Sequence, residues 1–104
     1  MDPDFDEFLH VPARLSIVAL LAPASWVEFG FLRDAIGTSD SALSKQVSAL
    51  AAEEYVEVRK SQGRPRRTHL RLTGQGREAF RRHAAALERI AAVARTAAEP
   101  VTDE

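Results

Sequence analysis

Arg64, Arg66 and Arg67 crowd around Pro65, and Arg59 and Lys60 stand just upstream. Guanidinium forks in such a cluster suit phosphate oxygens or the enhanced negative potential of a narrow nucleic-acid groove. From Arg59 to Arg82 there are nine cations and one acid, Glu78, a formal charge of +8. Some twenty residues earlier, Ser39, Ser41, Ser44 and Ser48 recur around Lys45, with Gln46 at their flank. Short hydroxyls and one ammonium can donate hydrogen bonds at close range to phosphates or base edges. The chain has no asparagine, so bidentate recognition of adenine would fall to Gln46. Taken together, these residues suggest recognition of a polyanion rather than catalysis.

Net charge conceals this pattern. The whole chain sums to -1, but Asp2, Asp4, Asp6, Glu7, Glu99, Asp103 and Glu104 supply seven of its fifteen acids from the two ends. Residues 8–98 hold fourteen cations against eight acids, or +6. The distribution of charge is therefore more informative than the sum. The acidic segments 1–7 and 99–104 read as flexible tails.

The elements that must carry these residues are legible from periodicity. Thr38, Ser39 and Asp40 can cap a helix whose Leu43, Val47 and Leu50 form a buried stripe opposite the serines. Val56 and Val58 alternate with Glu57 and Arg59, and Leu70 and Leu72 with His69 and Arg71, which predicts two half-buried strands. Gln62-Gly63 and Pro65 mark the turn between them. Upstream, Pro12 opens a helix to about Ala22 that is apolar on two sides: Leu15, Val18, Ala19 and Ala22 on one, Ala13, Ile17, Leu20 and Leu21 on the other. Such a helix must be covered twice, so its outer side, with Phe5, Phe8 and Leu9, is a candidate contact for a second subunit. Ser25–Glu28 suits a short strand, and Phe29, Leu32 and Ile36 a second helix. Trp26 reads as a packing residue. Thr73 can cap a long helix to about Ala97, its first turn loosened by Gly74 and Gly76. Along it Phe80, Ala84, Leu87, Ala91 and Ala94 fall at heptad spacing, widened by Ile90 and Val93.

With 104 residues the chain holds one domain of modest core, for which self-association is expected. The absence of cysteine excludes disulfides, thiol nucleophiles and cysteine-based zinc sites. His10, His69 and His83 lie at no metal-ligand spacing and near no acid cluster, which assigns them structural or surface roles. Gly74-Gln75-Gly76 is too short for a phosphate loop. No cofactor and no enzymatic activity are expected. The longest apolar run, Ile17–Ala22, is far below the roughly 20 residues of a membrane span, which predicts a cytoplasmic protein with no membrane association.

The order helix, strand, helix, helix, strand, basic turn, strand, long helix is that of a winged helix-turn-helix. In HVPARLSIVALLA, FGFLRDAIGTSDSALSKQVSALAAEEYVEVRK and RLTGQGREAF the chain resembles the short MarR-like winged-helix transcriptional regulators of bacteria. The resemblance implies an α+β, mostly helical fold with a small antiparallel sheet. It makes residues 8–73 a DNA-binding domain and 74–98 a dimerisation helix. It further implies a homodimer on a double-stranded operator, acting as a repressor. The recognition helix would present Ser39, Ser41, Ser44, Lys45, Gln46 and Ser48, and the wing Arg59, Lys60, Arg64, Arg66 and Arg67. Dimerisation would use Phe8, Ile17, Leu20, Leu21, Phe80, Leu87, Ile90 and Ala94. An effector is left unassigned, and a winged-helix module that binds an acidic protein is the alternative. Glu54 stands where these regulators usually have glycine, so either a left-handed cap there is strained or the helix ends differently.

Overall fold

The computed structural model describes residues 1–98; the segment 99–104 expected as a tail lies outside the described residues. Seven elements follow one another: α1 (Pro12–Leu21), β1 (Val27–Glu28), α2 (Phe29–Ile36), α3 (Asp40–Ala52), β2 (Val56–Lys60), β3 (Thr68–Leu72) and α4 (Gly74–Ala98). The sheet is antiparallel in the order β1-β3-β2, with Val27 opposite Leu70 and Val58 opposite Leu70 on its other side. This is the expected α+β architecture.

Each boundary has a local cause. Pro12 occupies the first turn of α1, where a missing N–H is no loss. Gly37, at φ 76°, closes α2 in the left-handed conformation that glycine adopts without penalty. Ser39 caps α3 by accepting from the Ala42 N–H at 3.2 Å. At the other end of α3 the backbone turns left-handed at Glu54, φ 64°. Glu54 N–H donates to Ala51 O and Tyr55 N–H to Leu50 O, both at 2.9 Å, so the ending is a complete Schellman motif built on a residue that has a Cβ. Thr73 caps α4 as expected, its Oγ1 accepting from Gly76 N–H at 2.9 Å. Gly76 does not loosen that turn; it allows close packing. A Cβ there would lie 2.0 Å from the Tyr55 carbonyl oxygen.

Leu9, Ile17, Val18, Leu21, Leu32, Leu43, Val47, Leu50, Val56, Leu70 and Leu72 form one core. Helix α1 runs through its middle, in contact with α2, α3, β3 and α4. This corrects the expectation for Ile17 and Leu21: both are fully buried within the protomer, so neither faces a second subunit. The second cover that α1 needs comes from α4 of its own chain. Of the other nominated contact residues, Phe8, Leu20, Phe80 and Leu87 are half-buried, whereas Ile90 and Ala94 are exposed.

The acidic segment 1–7 is likewise not a frayed tail. Asp2 and Asp4 pair with Arg89 at 2.6 and 3.0 Å, and Asp6 accepts from the Tyr55 hydroxyl at 2.8 Å. The Asp6 N–H donates to Nδ1 of His83 at 3.0 Å. In the sequence these carboxylates resemble solvating charge, because the cationic partner of Asp2 and Asp4 lies 85–87 positions away in the chain.

Candidate nucleic-acid interface

Helix α3 buries Leu43, Val47 and Leu50 and turns Ser41, Ser44, Lys45 and Ser48 outward. With no long side chain but Lys45 on this crest, the helix backbone can approach a groove closely. Ser39 sits at its N-terminal end, where its oxygen is already engaged as the cap and lies 3.4 Å from the Ser41 hydroxyl. Arg33 braces the same end, donating to Asp34 at 2.9 Å and Asp40 at 2.8 Å. Gln46 departs from expectation. Its Oε1 accepts from Arg14 Nε of α1 at 2.8 Å, and the half-buried residue faces α1 rather than the crest. The cause is angular: Gln46 lies about 100° round the helix from Lys45, on the side packed against α1.

Strand alternation divides the hairpin cations between two faces. Val56, Val58 and Lys60 point toward α3, and Glu57 and Arg59 point away. Between α3 and the hairpin lies a groove of about 320 Å³ lined by Ser44, Ser48, Val58, Lys60 and Thr68, with Phe29 at its side. Val58, Thr68 and Phe29 were not foreseen at this site. Val58 continues the inward register of Val56 but projects past the edge of the core, leaving it 41% exposed. Lys60 thus joins the α3 surface, and Arg59 does not: it lies over the Trp26 ring at 4.1 Å, on the outer face of the sheet. Arg71 covers the same ring at 4.6 Å and pairs with Glu57 at 2.5 Å. Trp26 therefore packs as expected, but beneath two guanidiniums on the outside of the sheet.

The loop from Ser61 to Arg67 is exposed throughout and is closed at its base. Ser61 N–H donates to Arg67 O at 2.8 Å, and Arg67 N–H to Ser61 Oγ at 3.1 Å. Arg67 is drawn back to Glu28 of β1 as an ion pair. Farther along, hydrogen bonding from Arg81, with Arg82 beside it, holds the Glu78 carboxyl down at about 2. Among the described residues Lys45, Lys60, Arg64 and Arg66 form no ion pair. With Arg59 laid over Trp26 and Arg77 donating to the Ala22 carbonyl at 2.6 Å, these four are the cations of the +8 segment and α3 left without a partner among the described residues. No group of three metal-ligating side chains converges among the described residues, and no described helix is long and apolar enough to cross a membrane.

A three-helix core in which a Ser-rich third helix is followed by a basic hairpin defines a winged helix-turn-helix protein. Residues 13–91 match the family described as the winged helix DNA-binding domain, and the chain belongs to that family. The family is one of DNA binders, not of enzymes. The fold is shared with a transcriptional regulator homologue from Pyrococcus horikoshii OT3, at TM-score 0.78 and 22% identity over 82% of this chain and 85% of that one. It is shared too with the PcaV transcriptional regulator from Streptomyces coelicolor in complex with its natural ligand, at TM-score 0.74 and 21% identity over 86% of this chain and 62% of that longer one. A protein described as a MarR-family regulator from Porphyromonas gingivalis W83 superposes at TM-score 0.64 with 20% identity over 89% and 84% of the two chains. No curated protein sequence matches significantly. The winged-helix fold read from the sequence is the fold found.

Proposed function

We propose that this protein is a homodimeric transcriptional repressor that binds a double-stranded, roughly palindromic operator. In this reading α3 enters the major groove with Ser41, Ser44, Lys45 and Ser48, while Arg64 and Arg66 reach the flanking backbone or minor groove. The observation that carries it is the shared surface of α3 and the hairpin. Ser44, Ser48 and Lys60 line one groove, and Arg64 and Arg66, without an ion pair among the described residues, stand beyond it on the wing tip. Because α3 offers only Lys45 as a long side chain, much of the specificity falls to groove width and DNA shape.

Dimerisation is supported by α4. Its apolar stripe is covered by the protomer as far as Leu87, then continues uncovered through Ile90, Val93 and Ala94, with Ile90 44% and Val93 68% exposed. A second copy covering the same stripe would bury these residues symmetrically. The reading requires no cofactor and leaves the effector unassigned, although the related PcaV fold was solved with its natural ligand.

The test is a salt-titrated binding assay on duplex DNA from upstream of the protein's own gene, with molecular mass measured by light scattering. A dimer whose binding falls steeply with salt is expected. Indifference to duplexes at low salt, with capture of an acidic protein instead, would replace this reading with that of a protein-interaction module.

A further inference from the structure

The amino-terminal segment is fastened to α4 by a histidine that must remain neutral. His83 is fully buried, with its ring 4.8 Å from that of Phe5 and 5.3 Å from that of His10. Its Nδ1 accepts the Asp6 N–H at 3.0 Å, so the ring proton resides on Nε2. That Nε2 is buried without a hydrogen-bond partner among the described residues. A second proton would set an N–H against the Asp6 N–H and leave a buried imidazolium with no acceptor at either nitrogen.

The surroundings offer little to offset that charge. From the segment itself the titratable neighbours are Asp6, whose carboxylate is engaged by the Tyr55 hydroxyl and the Leu9 N–H, and His10. From just before β2 comes Tyr55, and along α4 stand Arg82, paired with Glu78, and Arg89, occupied by Asp2 and Asp4. Burial foremost, then the His10 charge, push the His83 pKa below the ordinary histidine value, against the opposing pull of Asp6.

The same segment reaches α3 through one side chain. Arg14 donates to the Phe8 carbonyl at 3.2 Å, lies 4.3 Å over the Phe8 ring, and donates through Nε to Gln46 at 2.8 Å. Phe8 also packs edge-on against Tyr55, the residue that holds Asp6. Residues 6–10 and the orientation of Gln46 are thus tied to one guanidinium.

We propose that residues 5–10 form an acid-released strap, still anchored through Asp2 and Asp4: protonation of His83 expels the Asp6 N–H from α4, and the departure of Phe8 from Arg14 frees Gln46 on α3. The pH dependence has a definite sign. A histidine held neutral in the docked state favours docking above the ordinary pKa of about 6.5 and loses that contribution as the pH falls through its lowered value. The ties to Arg89 remain over this range, since hydrogen bonding from Arg89 holds the Asp2 carboxyl at about 2.

NMR of the free, 15N-labelled chain tests this without DNA, so its outcome is independent of the regulator reading. Between about pH 8 and about pH 5 the Asp6 backbone amide and the Gln46 side-chain amide should shift with one midpoint below 6.5. Hydrogen exchange at the Asp6 and His10 amides, corrected for intrinsic rates, should rise at least about tenfold, the size expected when a docked segment becomes an open one. His83→Gln keeps an acceptor for Asp6 and cannot titrate, so it should abolish the transition; His10→Gln should retain it. A stationary Asp6 amide, or a transition that survives His83→Gln, would overturn the strap. Movement of Asp6 while Gln46 stays still would overturn the link to α3. If His83→Gln does not fold, the wild-type ring nitrogens decide: release of the strap while Nδ1 stays unprotonated contradicts the proposal.

Discussion

The two ends of one hairpin use arginine in opposite ways. At the tip, Arg64 and Arg66 have no acidic partner among the described residues. Toward the base, Arg59 and Arg71 flank Trp26, Arg71 holds Glu57, and Arg67 is returned to Glu28. In sequence these five residues are equivalent cations within thirteen positions. In the fold, three are satisfied by their own chain and two are left for something else. Formal charge thus overstates the surface that can meet a polyanion, and pairing within the protomer sets its useful extent.

The sharpest break in this comparison is the double variant Arg64→Ala, Arg66→Ala. Each phosphate contact contributes about 0.9 to the salt slope, or roughly tenfold in affinity near 0.1 M salt. The pair should therefore cost roughly a hundredfold on the operator and flatten log K against log salt by about two. Fluorescence anisotropy across a salt series measures both. Loss on the operator alone, with nonspecific duplex unaffected, would mean that the tip reads bases rather than backbone. Lys45→Ala should cost roughly tenfold and about one slope unit by the same measurement.

Arg59→Ala is the opposing arm. Because this guanidinium lies on Trp26 and away from α3, DNA affinity should change less than about threefold, as expected for long-range charge alone. Stability should fall by about 1 kcal/mol at most, the size of an exposed cation–π contact, and the emission of the single tryptophan should shift. A tenfold loss of DNA binding would place the outer sheet face in the interface and erase the distinction drawn here. Ile90→Asp, by contrast, should leave the protomer folded and convert a dimer to monomer in light scattering, since Ile90 lies on the uncovered half of the α4 stripe.

Periodicity made the scaffold legible. Leu43, Val47 and Leu50 on α3 and the Thr68–Leu72 strand stand where the spacing put them, because local backbone preference and core burial agree there. The crest of α3 followed from that stripe. What escaped was decided by tertiary partners. Gln46 is claimed by Arg14, thirty-two positions earlier, and Arg59 by Trp26, reached only through β3. The amphipathic ambiguity of α1 was resolved by its own α4, a long-range choice that helical spacing does not encode. Composition also misled at residues 2–6, where carboxylates meet an arginine near the other end of the chain.

Glu54 sharpens the separation between residues that fold the domain and residues left open, through a smaller effect. Two helices end left-handed, α2 on Gly37 and α3 on Glu54. At Gly37 the residue matches the backbone; at Glu54 the Schellman hydrogen bonds and the Thr73 hydroxyl, donating to the Glu54 carbonyl at 2.6 Å, hold a Cβ where it crowds a carbonyl. A left-handed residue with a Cβ costs roughly 1–2 kcal/mol, and glycine returns part of that by ordering a more flexible chain, about 0.4–1 kcal/mol. Glu54→Gly should therefore stabilise the protein by about 0.5–1 kcal/mol in urea denaturation, with the denaturant slope unchanged. The backbone bonds that close α3 would be kept, so the orientation of Ser44 and Lys45 should not change, and neither should the salt slope of DNA binding. A destabilised Glu54→Gly protein would show that the Glu54 side chain itself holds the end of α3, and would move this residue to the same side of the comparison as Arg59.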